Sequence, residues 1–431
     1  EYLAKIHGIM AKNKVYKSYI GMGHYNTYTP AVILRNIFEN PGWYTAYTPY
    51  QAEISQGRIE ALLNFQTMVS SLTAMPLANA SLLDDATAAG EMMLMFYRLR
   101  SRDQQKNNVC KYFVSEVVFQ HCIGVMKTNA APQGIELVIG KADKVELDET
   151  YFGAMIQYPN QHGAIHDFRA FVEKAHAFNI FVGVATDLLA LTLLTPPGEW
   201  GADCVVGTTQ RFGLPMGYGS PAAGFFACRE EYLRQTPGRI IGVTVDAQGN
   251  RAVRMALQTR EQHIKRDRAT SNICTASALT AIMAGFYAMW HGPMGLRDKA
   301  VKINVLAGVL AREAVKYGYK QHNQHFFDTI CLEVPAGMTS KDVEKVALQK
   351  KVNFRYWCDE CLTIALDETV VLADVNLMLE ILATAAGKPF TPYVCQNTPN
   401  PELNIPAELT RKSAFLQQSI FSKYHSETEM M

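Results

Sequence analysis

The sequence predicts an α/β protein, with a large domain built on a mostly parallel sheet and a smaller α/β domain after it. Short apolar runs alternate with helical segments between residues 111 and 208, which is typical of a parallel sheet covered by helices. A second, shorter alternation begins near residue 329. The length of 431 residues is enough for two or three domains.

The segment before the sheet is predicted to be helical. Thr29 and Pro30 suit an N-cap and a first helical residue, and Pro41-Gly42 predicts the end of that helix. The other predicted helices here are a basic one within 1–16, a long one capped by Ser55, and one that opens from the loop 80–89 and reaches about Arg100.

The strand candidates of the large domain share β-branched, apolar composition. They are 111–114, 136–140, 154–158, 180–185 and 204–208, with a helix predicted over 167–178. Ligands of parallel sheets bind outside the carboxyl ends of the strands. Asp187 and Gln210 fall at that edge.

Two long helices, 272–291 and 296–317, are predicted to lead into the small domain. Its predicted elements are strand 329–334, helix 340–350, strands 354–357 and 362–366, and helix 372–386. We therefore expect an N-terminal arm and interface segment over 1–57, a large domain over 58–295, a small domain over 296–388, and a linker or arm over 389–431 that leads to a further half.

Composition argues against several functions. A net charge of +1 argues against a broad surface for binding nucleic acid or membranes. The sequence contains no apolar run of about 20 residues, so no membrane span is predicted. Nine scattered cysteines suit a reducing compartment. The histidines lack metal-ligand spacing and no GxSxG motif occurs, so neither a metal site nor hydrolase chemistry is predicted. The pair Cys358 and Cys361 fits a chance CxxC better than a redox or metal site.

The segment 181–226 carries the strongest chemical signal. One apolar run ends at Asp187, the next ends before Gln210, and a glycine-rich loop follows. Fold-type I pyridoxal-phosphate (PLP) enzymes, which are aspartate aminotransferase-like, have this layout, with a carboxylate for the pyridine nitrogen and a lysine for the Schiff base. Glutamine forms no imine, which favours a non-catalytic pocket over one that holds PLP non-covalently. Judged by its position alone, Asp187 is as well explained by a turn or a helix cap as by a contact with the pyridine nitrogen.

Two loops supply the other candidates. The first is polar and aromatic and comprises Tyr47, Thr48, Tyr50 and Gln51. It suits a substrate site or a packing interface equally. The second comprises Thr270, Ser271 and Asn272, just before a predicted helix. Hydroxyl and backbone N–H groups at a helix start can hold a phosphate, although simple N-capping also explains them.

Seven long segments closely resemble the glycine decarboxylase P-proteins of the glycine cleavage system. They are AYTPYQAEISQG (46–57), NASLLDDATAAGE (79–91), ATDLLALTLLTPPGEWGAD (185–203), QRFGLPMGYGSP (210–221), PGRIIGVTVDAQG (237–249), LQTREQHIKRDRATSNICTA (257–276) and YHSET (424–428). The chain resembles the amino-terminal, α-subunit-like half of that family, whose members contain two homologous fold-type I halves. The ending after YHSET indicates a piece of a longer polypeptide.

The resemblance implies the activity of the complete protein and its partners. The whole protein would decarboxylate glycine and pass the aminomethyl group to the lipoylated H-protein. PLP would be held covalently by the lysine-bearing C-terminal half or β subunit, not by this chain. The expected partners are that half, the H-protein and glycine, with no nucleic acid or membrane. The expected location is the bacterial cytoplasm, or the mitochondrial matrix in a eukaryote.

The resemblance also implies roles for the candidate residues, none of them catalytic. The loop with Tyr47 and Thr48 would form a wall of the other half's active site, and the loop at Thr270 would reach its PLP phosphate. Asp187 and Gln210 would remain as a degenerate PLP pocket. In that pocket Asp84 and Asp85 would repel a phosphate, and Phe119 would replace a histidine that stacks on PLP.

Two alternatives stay open. The chain could be an autonomous PLP enzyme that uses a distant lysine such as Lys265. It could also be a purely structural dimerisation module whose residues make no direct contact with an active site.

Overall fold

The computed structural model describes residues 1–44, 49, 51–219, 222–269, 271, 273, 276–395 and 402–431. The helices are α1 (Tyr2–Met10), α2 (Ala31–Ile33), α3 (Pro41–Tyr44), α4 (Gln56–Thr73), α5 (Asp85–Leu99), α6 (Arg102–Lys106), α7 (Gln120–Ala130), α8 (Arg169–Ala177), α9 (Gln262–Lys265), α10 (Ala278–Lys316), α11 (Ser340–Gln349), α12 (Leu372–Ala385) and α13 (Glu427–Met430). The strands are β1 (Lys17–Ser18), β2 (Leu77–Ala78), β3 (Lys111–Ser115), β4 (Glu136–Gly140), β5 (Tyr151–Tyr158), β6 (Phe181–Thr186), β7 (Cys204–Thr208), β8 (Gly224–Cys228), β9 (Ile240–Val245), β10 (Arg251–Ala256), β11 (Lys320–Gln321), β12 (Thr329–Glu333), β13 (Val352–Asn353), β14 (Arg355–Cys358) and β15 (Cys361–Ala365).

The central sheet has seven strands in the order β2-β8-β7-β6-β5-β3-β4. The strands from β7 to β4 are parallel, and β8 runs antiparallel to its neighbours β7 and β2. The predicted mostly parallel α/β architecture is therefore confirmed. The five strands predicted from composition are all present, with β5 beginning three residues earlier than expected.

Both faces of the sheet are covered. Tyr112 and Val114 of β3 lie in a core that includes Met92 and Phe96 of α5, whereas Phe113 lies in a separate core on the opposite face. Neighbouring residues of a strand point to opposite faces, so each face needs its own apolar partner. This explains why the strands read as continuous apolar runs rather than as alternating ones.

A four-stranded antiparallel sheet, β11-β12-β15-β14, forms the core of the C-terminal unit together with α11 and α12. The N-terminal arm joins this unit, because β1 pairs in parallel with β13. The arm continues along β15, where the Ala365 N–H donates to the carbonyl oxygen of Tyr19 at 2.9 Å. The arm then passes towards the central sheet. No helix in the described ranges combines the length and apolar character that a membrane crossing needs.

The predicted start of the helix after Thr29 was wrong by one residue. The helix begins at Ala31, Pro30 takes the N-cap position, and the Thr29 hydroxyl donates to the carbonyl oxygen of Gly213 at 2.6 Å. A tertiary hydrogen bond thus takes the hydroxyl that the sequence offered as a cap. The predicted end is confirmed, because the helix continues as a π-helical turn over Leu34–Phe38 and ends there, before Pro41, which starts the separate short helix α3.

The two long helices predicted on either side of residue 292 form one element, α10, with a sharp kink. Gly292 has φ +62° and ψ 179°, and Pro293 follows it. Glycine adopts this backbone conformation without the steric cost that a Cβ brings, and proline suits the start of the next helical turn. The break that the sequence predicts between two helices is therefore a kink within one element. The predicted start at Asn272 lies outside the described residues.

Gly207 offers a test of the packing between β7 and its neighbours. A Cβ there would overlap the carbonyl oxygen of Thr186 and lie 2.7 Å from the Phe225 ring. We expect Gly207→Ala to lower the free energy of unfolding by about 1–3 kcal/mol, measured by urea denaturation. Gly124→Ala on α7 is the matched control, because a Cβ at Gly124 meets nothing within 4 Å. It should leave stability unchanged or raise it by up to about 1 kcal/mol, and equal losses for both variants would contradict this packing.

Candidate functional site

A nearly closed cavity of about 40 Å³ lies at the carboxyl ends of β5, β6 and β7. Thr186, Asp187 and Thr208 line it from the sheet, residues of the N-terminal arm cover it, and Phe327 and Asp328 close it from the C-terminal unit. This is the edge at which parallel sheets bind ligands. The space is of the size that holds one or two water molecules.

Asp187, the carboxylate predicted from the strand pattern, is engaged by an arginine of the same chain. The buried guanidinium of Arg211 binds the carboxylates of both Asp187 and Asp328, and its Nη1 lies 2.8 Å from Asp328 Oδ2. The Tyr25 ring packs against the guanidinium, with 3.8 Å between the guanidinium carbon and the ring centroid. Asp187 also accepts the Leu189 N–H at 2.8 Å. The contact with the Leu189 N–H is the kind that the turn interpretation of Asp187 predicts, whereas the pairing with Arg211 was not predicted.

The charges of this Arg211 cluster depend on one another. Burial alone would lower the pKa of Arg211, but the carboxylates of Asp187 and Asp328 raise it above its usual value. Burial and the neighbouring Asp187 raise the pKa of Asp328, and Arg211 offsets only part of this. Arg211 Nη2 has no hydrogen-bond partner within the described part of the chain. A water molecule in the small cavity would satisfy it.

Gln210, at the predicted lysine position, is also fully engaged. Its Oε1 accepts the Tyr25 N–H at 2.8 Å, and its Nε2 donates to the carbonyl oxygens of Tyr25 at 2.8 Å and Leu214 at 2.6 Å. The residue is only 1% exposed. One amide side chain therefore satisfies both backbone groups of Tyr25 and fixes the N-terminal arm over the cavity.

The start of α5 carries two carboxylates, Asp84 and Asp85, and Asp85 lines the cavity. Asp84 Oδ1 accepts the Thr87 N–H at 2.7 Å, as an N-cap. Asp85 lines the cavity and lies 2.9 Å from His121 Nε2. Burial would raise the pKa of Asp85, but the hydrogen bond and charge of His121 lower it overall. The helix N-terminus, which would otherwise attract an external anion, already has an internal negative charge.

The structure brings only some of the predicted residues together. Asp187, Asp85 and Phe119 line one cavity, and Gln210 lies buried beside it. Gln51 is exposed and does not line it. The predicted residues Tyr47, Thr48, Tyr50, Thr270 and Asn272 lie outside the described residues.

Ser271 lies beside α5 rather than in the cavity. Its hydroxyl accepts the Ile273 N–H at 3.1 Å, which is a capping-type contact. Burial raises the pKa of Glu91 on α5, and a hydrogen bond with the Ser271 side chain works against this rise. The hydrogen bond with Glu91 attaches Ser271, the middle residue of the predicted phosphate loop, to α5.

Arg211 and Asp328 are the site residues that the sequence did not predict. Arg211 follows Gln210 directly and is the only lysine or arginine within 181–226. This could have indicated that Arg211 pairs with Asp187. No comparable signal identified Asp328, which is 117 residues away from Arg211 along the chain. The role of the N-terminal arm as a cover was also missed, because the sequence predicted only an arm and interface segment over 1–57.

The comparisons with known sequences agree with one another. The family profile described as glycine cleavage system P-protein matches residues 1–382. Proteins named glycine dehydrogenase (decarboxylating) from Bacteroides fragilis and Flavobacterium johnsoniae are each 52% identical over 431 residues, which is 100% of this chain and 45% of each relative. The chain thus spans about half the length of the curated relatives it matches.

Two solved structures have folds similar to that of this chain. A structure described as glycine decarboxylase (P-protein) of the glycine cleavage system, in inhibitor-bound form, has a TM-score of 0.82 and 30% identity, over 89% of both chains. An aspartate aminotransferase from Thermus thermophilus has a TM-score of 0.57 and 13% identity, over 84% of this chain and 98% of that one. The second match shows the shared fold alone.

PLP, the coenzyme implied by this fold family, does not fit the cavity as it stands. The carboxylate that would pair with the pyridine nitrogen binds Arg211, and carboxylates occupy the helix start where a phosphate would bind. The cavity of about 40 Å³ is also far below the roughly 300–1,000 Å³ of typical small-molecule sites. Gln210 offers no amine.

Replacing Arg211 tests whether the cluster holds the cavity closed. Arg211→Met leaves the buried Asp328 and the partly buried Asp187 without their cation, so we expect a loss of about 3–5 kcal/mol in the free energy of unfolding at neutral pH. The loss should shrink under acidic conditions. Burial and the neighbouring Asp187 already raise the pKa of Asp328, and Arg211 is the main group that offsets this rise. Without Arg211 the instability is therefore relieved as the Asp328 carboxyl group protonates.

The matched control is Arg251→Met, since Arg251 forms an exposed ion pair with Glu60. We expect that variant to change stability by no more than about 0.5 kcal/mol. Urea denaturation at several pH values measures both variants. A similar, pH-independent effect in the two would contradict the closing role of Arg211.

Proposed function

Because the chain belongs to the glycine cleavage system P-protein family, we propose that it is the lysine-free half of a glycine dehydrogenase (decarboxylating). In this proposal it supplies scaffold and interface to a second half that carries the lysine and holds PLP. The assembled protein decarboxylates glycine and transfers the aminomethyl group to the lipoyl arm of the H-protein. The share of about 45% of each relative that the chain covers leaves room for such a second half.

The closed cavity is the observation that carries the proposal. Gln210 uses its whole amide on the backbone of Tyr25 and Leu214, and Arg211 neutralises Asp187. A chain that fills this position with its own side chains retains the fold but not the coenzyme site. Lys265, the lysine considered for an autonomous enzyme, does not line the cavity. The autonomous reading therefore has no support from the geometry.

The two predicted loops are proposed to face the active site of the other half. Tyr44 and Ile54, which flank the first loop, are 49% and 73% exposed, and Ile264 before the second loop is 49% exposed. Large apolar side chains at the surface beside polar, hydroxyl-rich loops suit a protein interface. In the proposal Tyr47 and Thr48 form a wall of the neighbouring site, with Tyr50 and Gln51 beside them.

The runner-up is a purely structural module. The contacts of Ser271 with Ile273 and Glu91 favour it, since they use the hydroxyl inside this chain. The two readings differ in what the loop at Thr270 does for catalysis once the halves have assembled.

Thr270→Ala and Ser271→Ala, each assembled with the lysine-bearing half, separate these readings. If the loop donates hydrogen bonds to the PLP phosphate across the interface, glycine-dependent exchange of carbon dioxide should fall roughly 10- to 100-fold, because a hydrogen bond to a charged group contributes about 1.5–3 kcal/mol. PLP should also dissociate more readily from the assembly, which dialysis followed by absorbance measures.

Thr128→Ala is the matched control for that experiment. Thr128 is an exposed residue of α7, and its hydroxyl donates to the Gly124 carbonyl oxygen of its own helix, at 3.2 Å. It should leave exchange and assembly unchanged. If the two loop variants assemble normally, by size-exclusion chromatography, and keep full exchange and PLP retention, the structural module is the correct reading.

A further inference from the structure

Three potential metal ligands of different chemistry meet where the N-termini of α5 and α7 pack together. Asp85 Oδ2 lies 2.9 Å from His121 Nε2 and 3.7 Å from Cys122 Sγ. One ligand atom from each residue lies within 4.8 Å of the others. This is the one such group of three within the described ranges. The proposed function makes no use of His121 or Cys122.

The spacing suits one tetrahedral ion. Zinc binds carboxylate oxygen, imidazole nitrogen and thiolate sulfur at roughly 2.0–2.3 Å, so its ligand atoms stand about 3.3–3.8 Å from one another. The observed separations of 2.9 and 3.7 Å lie close to that range. Small rotations of the side chains would centre an ion between them.

We propose that Asp85, His121 and Cys122 bind a divalent transition-metal ion of the zinc type. The mixture of oxygen, nitrogen and sulfur ligands favours such an ion over magnesium or calcium, which prefer oxygen alone. His24 is available as a fourth ligand, since its ring centroid lies 6.3 Å from that of His121, and a water molecule is the other choice.

The surroundings of the cluster suit a metal site. Asp85 and Cys122 are buried, at 6% and 1% exposed, whereas the side chain of His121 is 36% exposed and leaves a route for the ion. The ligands stand on two helices that pack against each other, so their positions are largely fixed before binding. The ion would replace the thiol proton of Cys122, so binding should release protons and strengthen as pH rises.

An ion at this site would also connect two parts of the fold. Asp85 belongs to the helix start that lines the cavity, and His24 belongs to the N-terminal arm that covers it. An ion held by both would fix the arm more firmly to the large domain. This goes beyond the proposed function, and neither the lysine-bearing half nor PLP is needed to test it.

Cobalt(II) titration of the metal-free full chain tests the site, because cobalt reports its ligands by absorbance. We expect one equivalent to bind, with visible bands typical of tetrahedral coordination and a near-ultraviolet thiolate-to-cobalt charge-transfer band. Zinc should then displace the cobalt and abolish these bands. Zinc should also raise the midpoint of thermal unfolding of the unsubstituted chain.

Three variants complete the test. Cys122→Ser should lose the charge-transfer band, and His121→Gln, which leaves the buried thiol in place, should weaken cobalt binding by more than roughly 10-fold. Cys110→Ser, at a partly exposed cysteine outside the cluster, is the matched control and should keep both. Absence of the charge-transfer band from the unsubstituted chain, its survival in Cys122→Ser, or unchanged affinity in His121→Gln would each overturn the proposal.

Discussion

The buried guanidinium of Arg211 is the interaction on which the closed arrangement depends. It joins Asp187, just after β6, to Asp328, just before β12 of the C-terminal unit, and it packs on Tyr25 of the N-terminal arm. A buried cation of this kind is stable only when it is paired and hydrogen-bonded, since desolvation otherwise costs several kcal/mol. The need to pair this one charge therefore holds three parts of the chain together.

A second buried cluster supports the first. Glu368 accepts the Tyr28 N–H at 2.8 Å and the Tyr287 hydroxyl at 2.9 Å, and it also binds Thr27 and Lys299. Burial would raise the pKa of Glu368, but these contacts lower it overall. The arm is thus fixed to α10 and to the C-terminal unit by charge-assisted hydrogen bonds. The cavity is closed because polar groups that could serve a ligand serve the arm instead.

The elements that the sequence predicted well are those set by local periodicity. The strand β7 and the helix α8 could be found from composition and spacing alone, because both faces of the sheet are buried. The tertiary uses of polar groups could not be found this way. The Thr29 hydroxyl, for example, bonds to Gly213 rather than to its own helix. The kink at Gly292 was visible as a helix break, but spacing alone did not show that the helix resumes in the same element.

The site residues, too, were predictable only where local sequence position determines them. Position along the strands was enough to place Asp187 and Gln210 beside one cavity, whereas Asp328 has no local relation to either. The Asp85–His121 pair was also hidden, since the two residues are 36 positions apart on different helices and match no ligand spacing. Contacts between distant segments follow from the packing of whole elements, and a single sequence records them only indirectly.

The number of PLP molecules in the assembled protein tests the central claim most directly. The assembly of this chain with the proposed lysine-bearing half would be reduced with borohydride, digested, and mapped by mass spectrometry. The closed cavity predicts one PLP-modified lysine for each pair of halves, and that lysine lies outside residues 1–431. A reduced PLP adduct on a unique lysine of this chain, or two PLP molecules for each pair, would contradict it.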